Sequence, residues 1–282
     1  MIKWIRRFWR NWFITDLDVS YENLTSLPDD LPPKLITLWC FYNQLTTLPE
    51  NLPPKLQCLW CTNNQLTSLP KELPLYLKEL SCSNNHLVSL PDKLPQSLKR
   101  LECANNQLVS LPDKLPQSLQ VLCCNCNQLT SLPEKLPPNL QVLSCNNNQL
   151  TSLPKELPPT LQQLWCYNNQ LTILPDLPLS LDILMLYGNP LKKNYPLINT
   201  FEFVIHVRFL HNYYGYKYPN KVIAYVNECN SRRRSQERAR AITGELAELY
   251  YRKKLHPSKL APLLKNPDTD PNDFMDHLAE NI

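Results

Sequence analysis

Asparagine returns every 21 residues along the chain, at Asn43, Asn64, Asn85, Asn106, Asn127, Asn148 and Asn169, and Asn189 follows after 20. A fixed period of this length marks a stack of repeated units, each too small to bury a core alone and each completed by its neighbours. Around the first of these positions the chain reads Leu38-x-Cys40-x-x-Asn43-x-Leu45-x-x-Leu48-Pro49-x-x-Leu52-Pro53-x-x-Leu56, and the later copies repeat it almost unchanged. A degenerate copy begins at Leu17, with Glu22 in the Asn place, which makes about nine coils over 16–191.

Leu and Cys two residues apart project to the same side of a strand. Leu59 and Cys61 are therefore expected inside, with Cys58, Trp60 and Thr62 outside. Two prolines in each return arm, such as Pro70 and Pro74, remove backbone donors and clash with a helix. The arms should run extended or polyproline-like. The Asn side chains, from Asn43 to Asn189, are expected to satisfy backbone groups where the chain turns out of each strand.

The L-P-x-x-L-P arm resembles the bacterial class of leucine-rich repeats found in IpaH- and YopM-type effectors, over about 60% of the chain. That resemblance implies a leucine-rich repeat solenoid, or horseshoe, with a parallel β-sheet on the concave face, extended convex arms and an α-helical N-terminal cap. It implies a protein-binding scaffold, an effector or adaptor, in the cytoplasm or a host cytosol. The proline-bearing repeats ahead of a basic helical tail also resemble leucine-rich repeat proteins of giant DNA viruses and amoebal symbionts, which implies a structural component of a virion or other large assembly.

The formal charge of +4 is unevenly spread. Residues 1–15 carry Lys3, Arg6, Arg7 and Arg10; residues 16–189 hold ten basic against fifteen acidic side chains; residues 190–282 hold fifteen against ten. An acidic repeat face does not suit nucleic acid. The opening MIKWIRRFWRNWFI lacks the continuous apolar stretch of a secretory signal, and no segment approaches the length of a membrane span. A reducing compartment is the expectation.

Cys40, Cys61, Cys82, Cys103, Cys124, Cys145 and Cys166 share the inward position and read as core packing. The pairs Cys58/Cys61 and Cys123/Cys126 have zinc-like spacing, but residues three apart on a strand face opposite ways, and three coils set the pairs ~14 Å apart. No metal, cofactor or small-molecule substrate is expected. Cys123, Cys124 and Cys126 read as one exposed, oxidisable patch.

The outward positions form two columns, one running Trp39, Trp60, Ser81, Glu102, Cys123, Ser144, Trp165, Met185 and the other Phe41, Thr62, Ser83, Ala104, Asn125, Asn146, Tyr167, Tyr187. Clustered aromatics at both ends resemble interface anchors. Trp39, Phe41, Tyr42 and Trp60 at one end, with Trp165, Tyr167 and Tyr187 at the other, are the candidate partner contacts; packing against the solenoid's caps is the competing role.

Residues 1–15 read as a short basic amphipathic helix, either a cap or, through residues 1–14, a membrane-surface anchor. Residues 192–282 read as a C-terminal cap and helical module, with a strand-like alternation over 201–209, helices over 219–229 and 232–255, and a last helix from Asp270-Pro271 to Ala279. The arginines Arg232, Arg233, Arg234, Arg238 and Arg240 fit a solvated helix face better than a phosphate stripe. Cys229-Asn230-Ser231 does not match the Cys-x-Asp nucleophile motif of IpaH ubiquitin ligases, and no triad or phosphate loop is visible, so catalysis is not expected.

Overall fold

The computed structural model describes residues 14–195 and 223–238. The expected N-terminal helix, the strand over 201–209 and the helix from Asp270 lie outside the described residues. Packing divides the chain into two compact units, Met1–Asn227 and Glu228–Ile282.

Nine three-residue strands stack in chain order into one parallel sheet: β1 (Asp16–Asp18), β2 (Thr37–Trp39), β3 (Cys58–Trp60), β4 (Glu79–Ser81), β5 (Arg100–Glu102), β6 (Val121–Cys123), β7 (Val142–Ser144), β8 (Gln163–Trp165) and β9 (Ile183–Met185). The register advances one coil per strand, so Leu17, Leu38, Leu59 and their successors to Leu184 pair side by side. Each central Leu is buried, and its two strand neighbours face away from the core. The strands are short because the αL residue after each one turns the chain out of the sheet.

The return arms hold no helix or strand among the described residues. Each arm closes with a turn in which a Leu N–H donates to the Pro carbonyl three residues back, as in Leu56 to Pro53 and Leu98 to Pro95, both at 3.0 Å. Proline cannot donate, and the geometry asks only that it accept. Leu56, Leu77, Leu98 and Leu119 then plug the space behind the sheet, fully buried. Each contributes roughly 1.5–3 kcal/mol of burial. The core is thus a set of leucine columns and one cysteine column running along the stack.

The last coil ends differently. The arm leading into it, Leu174–Pro178, is one residue shorter, and a 3-10 turn over Leu191–Lys193 follows Asn189 and Pro190. Tyr195 is fully buried, its hydroxyl accepting from the Leu174 N–H at 3.0 Å and lying 3.2 Å from the Leu174 carbonyl. The Asn227 side chain does the same for Leu177, accepting its N–H at 2.8 Å and donating to its carbonyl at 3.1 Å. Polar backbone that a further coil would have covered is satisfied by two side chains.

Residues 223–238 form one continuous helix, α1. The sequence suggested a break between 229 and 232, where Asn and Ser are poor helix formers. Within the second unit, Arg232 salt-bridges Glu228 one turn back, and Arg233 donates to Asn230 at 2.8 Å. These i,i+4 and i,i+3 contacts carry the helix through the weak stretch.

Candidate partner-binding face of the sheet

The Asn amides tie successive coils together. In Asn64 the side-chain oxygen accepts the Leu45 N–H at 3.0 Å, and Nδ2 donates to the carbonyls of Cys40 at 2.9 Å and Cys61 at 3.1 Å. The same pattern recurs at Asn85, Asn106, Asn127, Asn148 and Asn169, and Asn189 completes it with Leu171 and Cys166. Asn43 takes two N–H groups of the first coil, those of Glu22 and Leu24. Each amide therefore satisfies backbone groups of its own coil and of the coil before it.

The residue ahead of each Asn is left-handed: Tyr42, Asn63, Asn84, Asn105, Cys126, Asn147, Asn168 and Gly188 have φ between 51° and 66°. Asn visits this region more easily than other side-chain-bearing residues. Sequence reasoning missed this column, although the doubled Asn of five coils and a Gly in the same place were its signal. At Gly188 a Cβ would meet the Asn168 side-chain oxygen at 2.1 Å, so bulk is refused there as well.

A further ladder runs along the arms. The hydroxyls of Ser97, Ser118 and Thr160 each lie within 2.9 Å of two carbonyls of the preceding coil, and Ser180 reaches Leu161. This column too was legible only in hindsight, as a small polar residue two places after the second arm proline. A groove of about 650 Å³ follows three successive arms past Asp113, Glu134, Lys135 and Lys155.

On the exposed side of the sheet, Asp18, Trp39, Trp60, Ser81, Glu102, Cys123, Ser144, Trp165 and Met185 stand in one register row. The middle of the row is a hydrogen-bonded strip. Thr62 and Ser81 hydroxyls meet at 2.8 Å, Ser81 donates to Glu102 at 2.8 Å, and Arg100 pairs with Glu102 at 3.3 Å. Ser144 bonds the Asn146 side chain at 2.9 Å. Ser81, Ser144 and Asn146 were expected to point into solvent, yet all three are buried. Small side chains flanked by larger neighbours lose their water and spend their hydrogen bonds on each other.

The ends are aromatic. Tyr21 stacks on Tyr42 at 4.7 Å between ring centroids, and Phe41 meets both rings edge-on. Tyr21, one period before Tyr42, belongs to this cluster although the sequence reading omitted it. Tyr42 and Trp60 are exposed, at 51% and 39%, and Trp39 and Phe41 are half-buried. At the far end Tyr167 stacks on Tyr187 at 4.4 Å, and burial together with the charge and hydrogen bond of the Tyr167 phenol pushes the Tyr187 phenol up. Trp165 is only half-buried as a residue, but its indole Nε1 is enclosed with no hydrogen-bond partner. It is thus less solvent-facing than the sequence suggested.

The seven column cysteines are free thiols, wholly enclosed. Desolvation raises every one of them, to about 12 at Cys61 and Cys166. Cys124 lies in this interior column, which overturns its expected place in an exposed patch with Cys123 and Cys126. Cys123 is itself largely desolvated, and burial with the nearby Glu102 carboxylate lifts it to about 11. Among the described residues no group of three or more His, Cys, Asp or Glu is placed to hold a metal, and no helix is long and apolar enough to cross a membrane.

Comparison with known proteins adds to this geometry. A family described as Leucine Rich repeats (2 copies) matches residues 138–179. YopM from Yersinia enterocolitica is 44% identical over 61% of this chain and 37% of its own, with a TM-score of 0.58. YopM from Yersinia pestis, described as a leucine-rich effector protein, is 34% identical over 62% of this chain and 61% of its own, with a TM-score of 0.45. A Shigella effector LRR domain is 30% identical over 69% of this chain and 78% of its own, with a TM-score of 0.48. The chain thus spans less than two thirds of either YopM chain. Comparison with curated proteins gives no match.

Proposed function

Because this chain belongs to the bacterial-type leucine-rich repeat proteins, we propose that it is a non-enzymatic interaction scaffold, an effector or adaptor that binds a protein partner on the exposed face of its sheet. The observation that carries this reading is the placement of its aromatic side chains. A solenoid of this kind can fill its face columns with small residues that hydrogen-bond one another, as coils four to seven do. At both ends it carries stacked tyrosines and tryptophans on the solvent side instead. Rings held in place by neighbouring rings lose little freedom on binding and bury a large area, which is the property of interface anchors. The leucine-rich repeat match and the likeness to YopM support an interaction scaffold.

The test is crosslinking with mass spectrometry in native lysate, comparing the wild type with a Trp165→Ala/Tyr167→Ala variant. A crosslinked protein that disappears from the variant while its melting temperature holds supports a contact role. A crosslink pattern indifferent to the substitutions, or a loss matched by a fall in melting temperature, assigns these rings to packing and sinks the reading for this end of the face.

A further inference from the structure

The two aromatic ends differ in what surrounds them. At the far end the neighbours of Trp165 in register are Ser144 and Met185, with Val142 and Ile183 alongside Gln163, and none of these β7–β9 strand positions is a carboxylate. At the near end the row runs Asp18, Trp39, Trp60, and the row beside it begins with Asp16. Adjacent strands lie ~4.8 Å apart, so the Asp18 carboxylate and the two indoles share a strip about 10 Å long. Asp18 is exposed and accepts the Ser20 N–H at 3.0 Å; no described basic side chain pairs with it. The Thr37 and Thr15 hydroxyls beside Asp16 hold its carboxyl below the usual range, so it stays ionised, and its charge is felt as far as Cys58 on β3. An electron-rich indole face next to an ionised carboxylate attracts a cation from two sides.

Resting on the reading of this face as a protein-binding surface, we propose that the row Asp18, Trp39, Trp60 receives an arginine or lysine side chain of the partner, laid on the indoles with its charged head toward Asp18. The partner segment is therefore basic, and complementary to the acidic balance of residues 16–189. The two ends then divide the work: the near end selects for charge, and the far end offers apolar area.

A short capped peptide alternating glycine and arginine is the probe, with a glycine–glutamate peptide as its control. Indole N–H resonances of the full chain, assigned through Trp39→Phe and Trp60→Phe, report where it binds. The arginine peptide shifts the Trp39 and Trp60 signals and leaves Trp165 unmoved; Asp18→Asn weakens the response about threefold, as for an exposed ion pair, and added salt weakens it further. Silence of both indoles, or equal shifts with the glutamate peptide, overturns the cation site. A response that emerges only after Arg6, Arg7 and Arg10 are replaced by Gln makes the chain's own N-terminus the occupant and overturns the partner assignment. Neither failure touches the scaffold reading of the far end, which the Trp165 and Tyr167 crosslinks test separately.

Discussion

In most strands the middle residue and its two neighbours live in opposite worlds, one peptide bond apart. Leu59 and Cys61 are fully enclosed, whereas Trp60 between them is exposed. Along the stack the interior positions hardly vary, with Leu in every strand centre and Cys, Leu or, in the first coil, Val two residues later, while the exposed positions range from Asp18 through Trp39 and Ser81 to Met185. The backbone register is the same on both sides, so the difference lies wholly in what each side chain must satisfy. An interior position answers to the coils above and below it. A face position answers to its neighbours only where it is small enough to be buried by them, as at Ser81 and Ser144.

Alkali should separate the two sides most sharply. The column thiols ordinarily ionise near 9.0 and are raised to about 12 at Cys61 and Cys166. Below pH 9 folded and unfolded chains both hold the protons, and the buried thiols cost nothing. Between about pH 9 and 12 the unfolded chain releases them while the folded chain does not, so stability falls as pH rises through that window. Circular dichroism against pH should show the repeats unfolding there, and Cys61→Ala and Cys166→Ala together should move the midpoint upward. An alkaline midpoint unchanged by those substitutions would mean that the column does not control it.

A smaller contrast comes from Asn106→Ala against Trp60→Ala. The first leaves the buried Leu87 N–H without its 3.0 Å acceptor and should cost about 1–3 kcal/mol in urea denaturation. The second removes an exposed ring and should cost less than about 1 kcal/mol. Equal losses would erase the distinction between interior and face. The smallest effect runs the other way: Cys126→Asn places at φ 54° the residue that five other coils use there, and should raise stability by about 0.5 kcal/mol in the same assay.

The 21-residue period carries the strand register and the inward place of Leu and Cys, because both follow from alternation and repetition within a few residues. Three features escaped it for a common reason. Tyr195 acts on Leu174, 21 residues back, and Asn227 acts on Leu177, 50 residues back, both from chain that no longer repeats. The burial of Ser81 and Asn146 depends on side-chain sizes in neighbouring coils rather than on their own polarity. The left-handed column was written in the doubled asparagines, but its meaning lies in φ, which a polarity pattern does not display. Of the candidate face, the aromatic positions were legible and Tyr21 was not, since it sits in the degenerate first coil.

The asparagine ladder also has a direction. Asn64 completes the coil that holds Cys40 and Leu45, Asn85 the one that holds Cys61 and Leu66, and so on to Asn189, which completes the coil of Cys166 and Leu171. Every coil thus depends on a side chain from later in the chain. A ribosome delivers the coils in the opposite order of need: each emerges with an amide hydrogen and a carbonyl still waiting for an asparagine about twenty residues away in the tunnel. The nascent protein is always one coil behind its own synthesis, and trimming from the C-terminus removes the asparagine on which the new last coil depends.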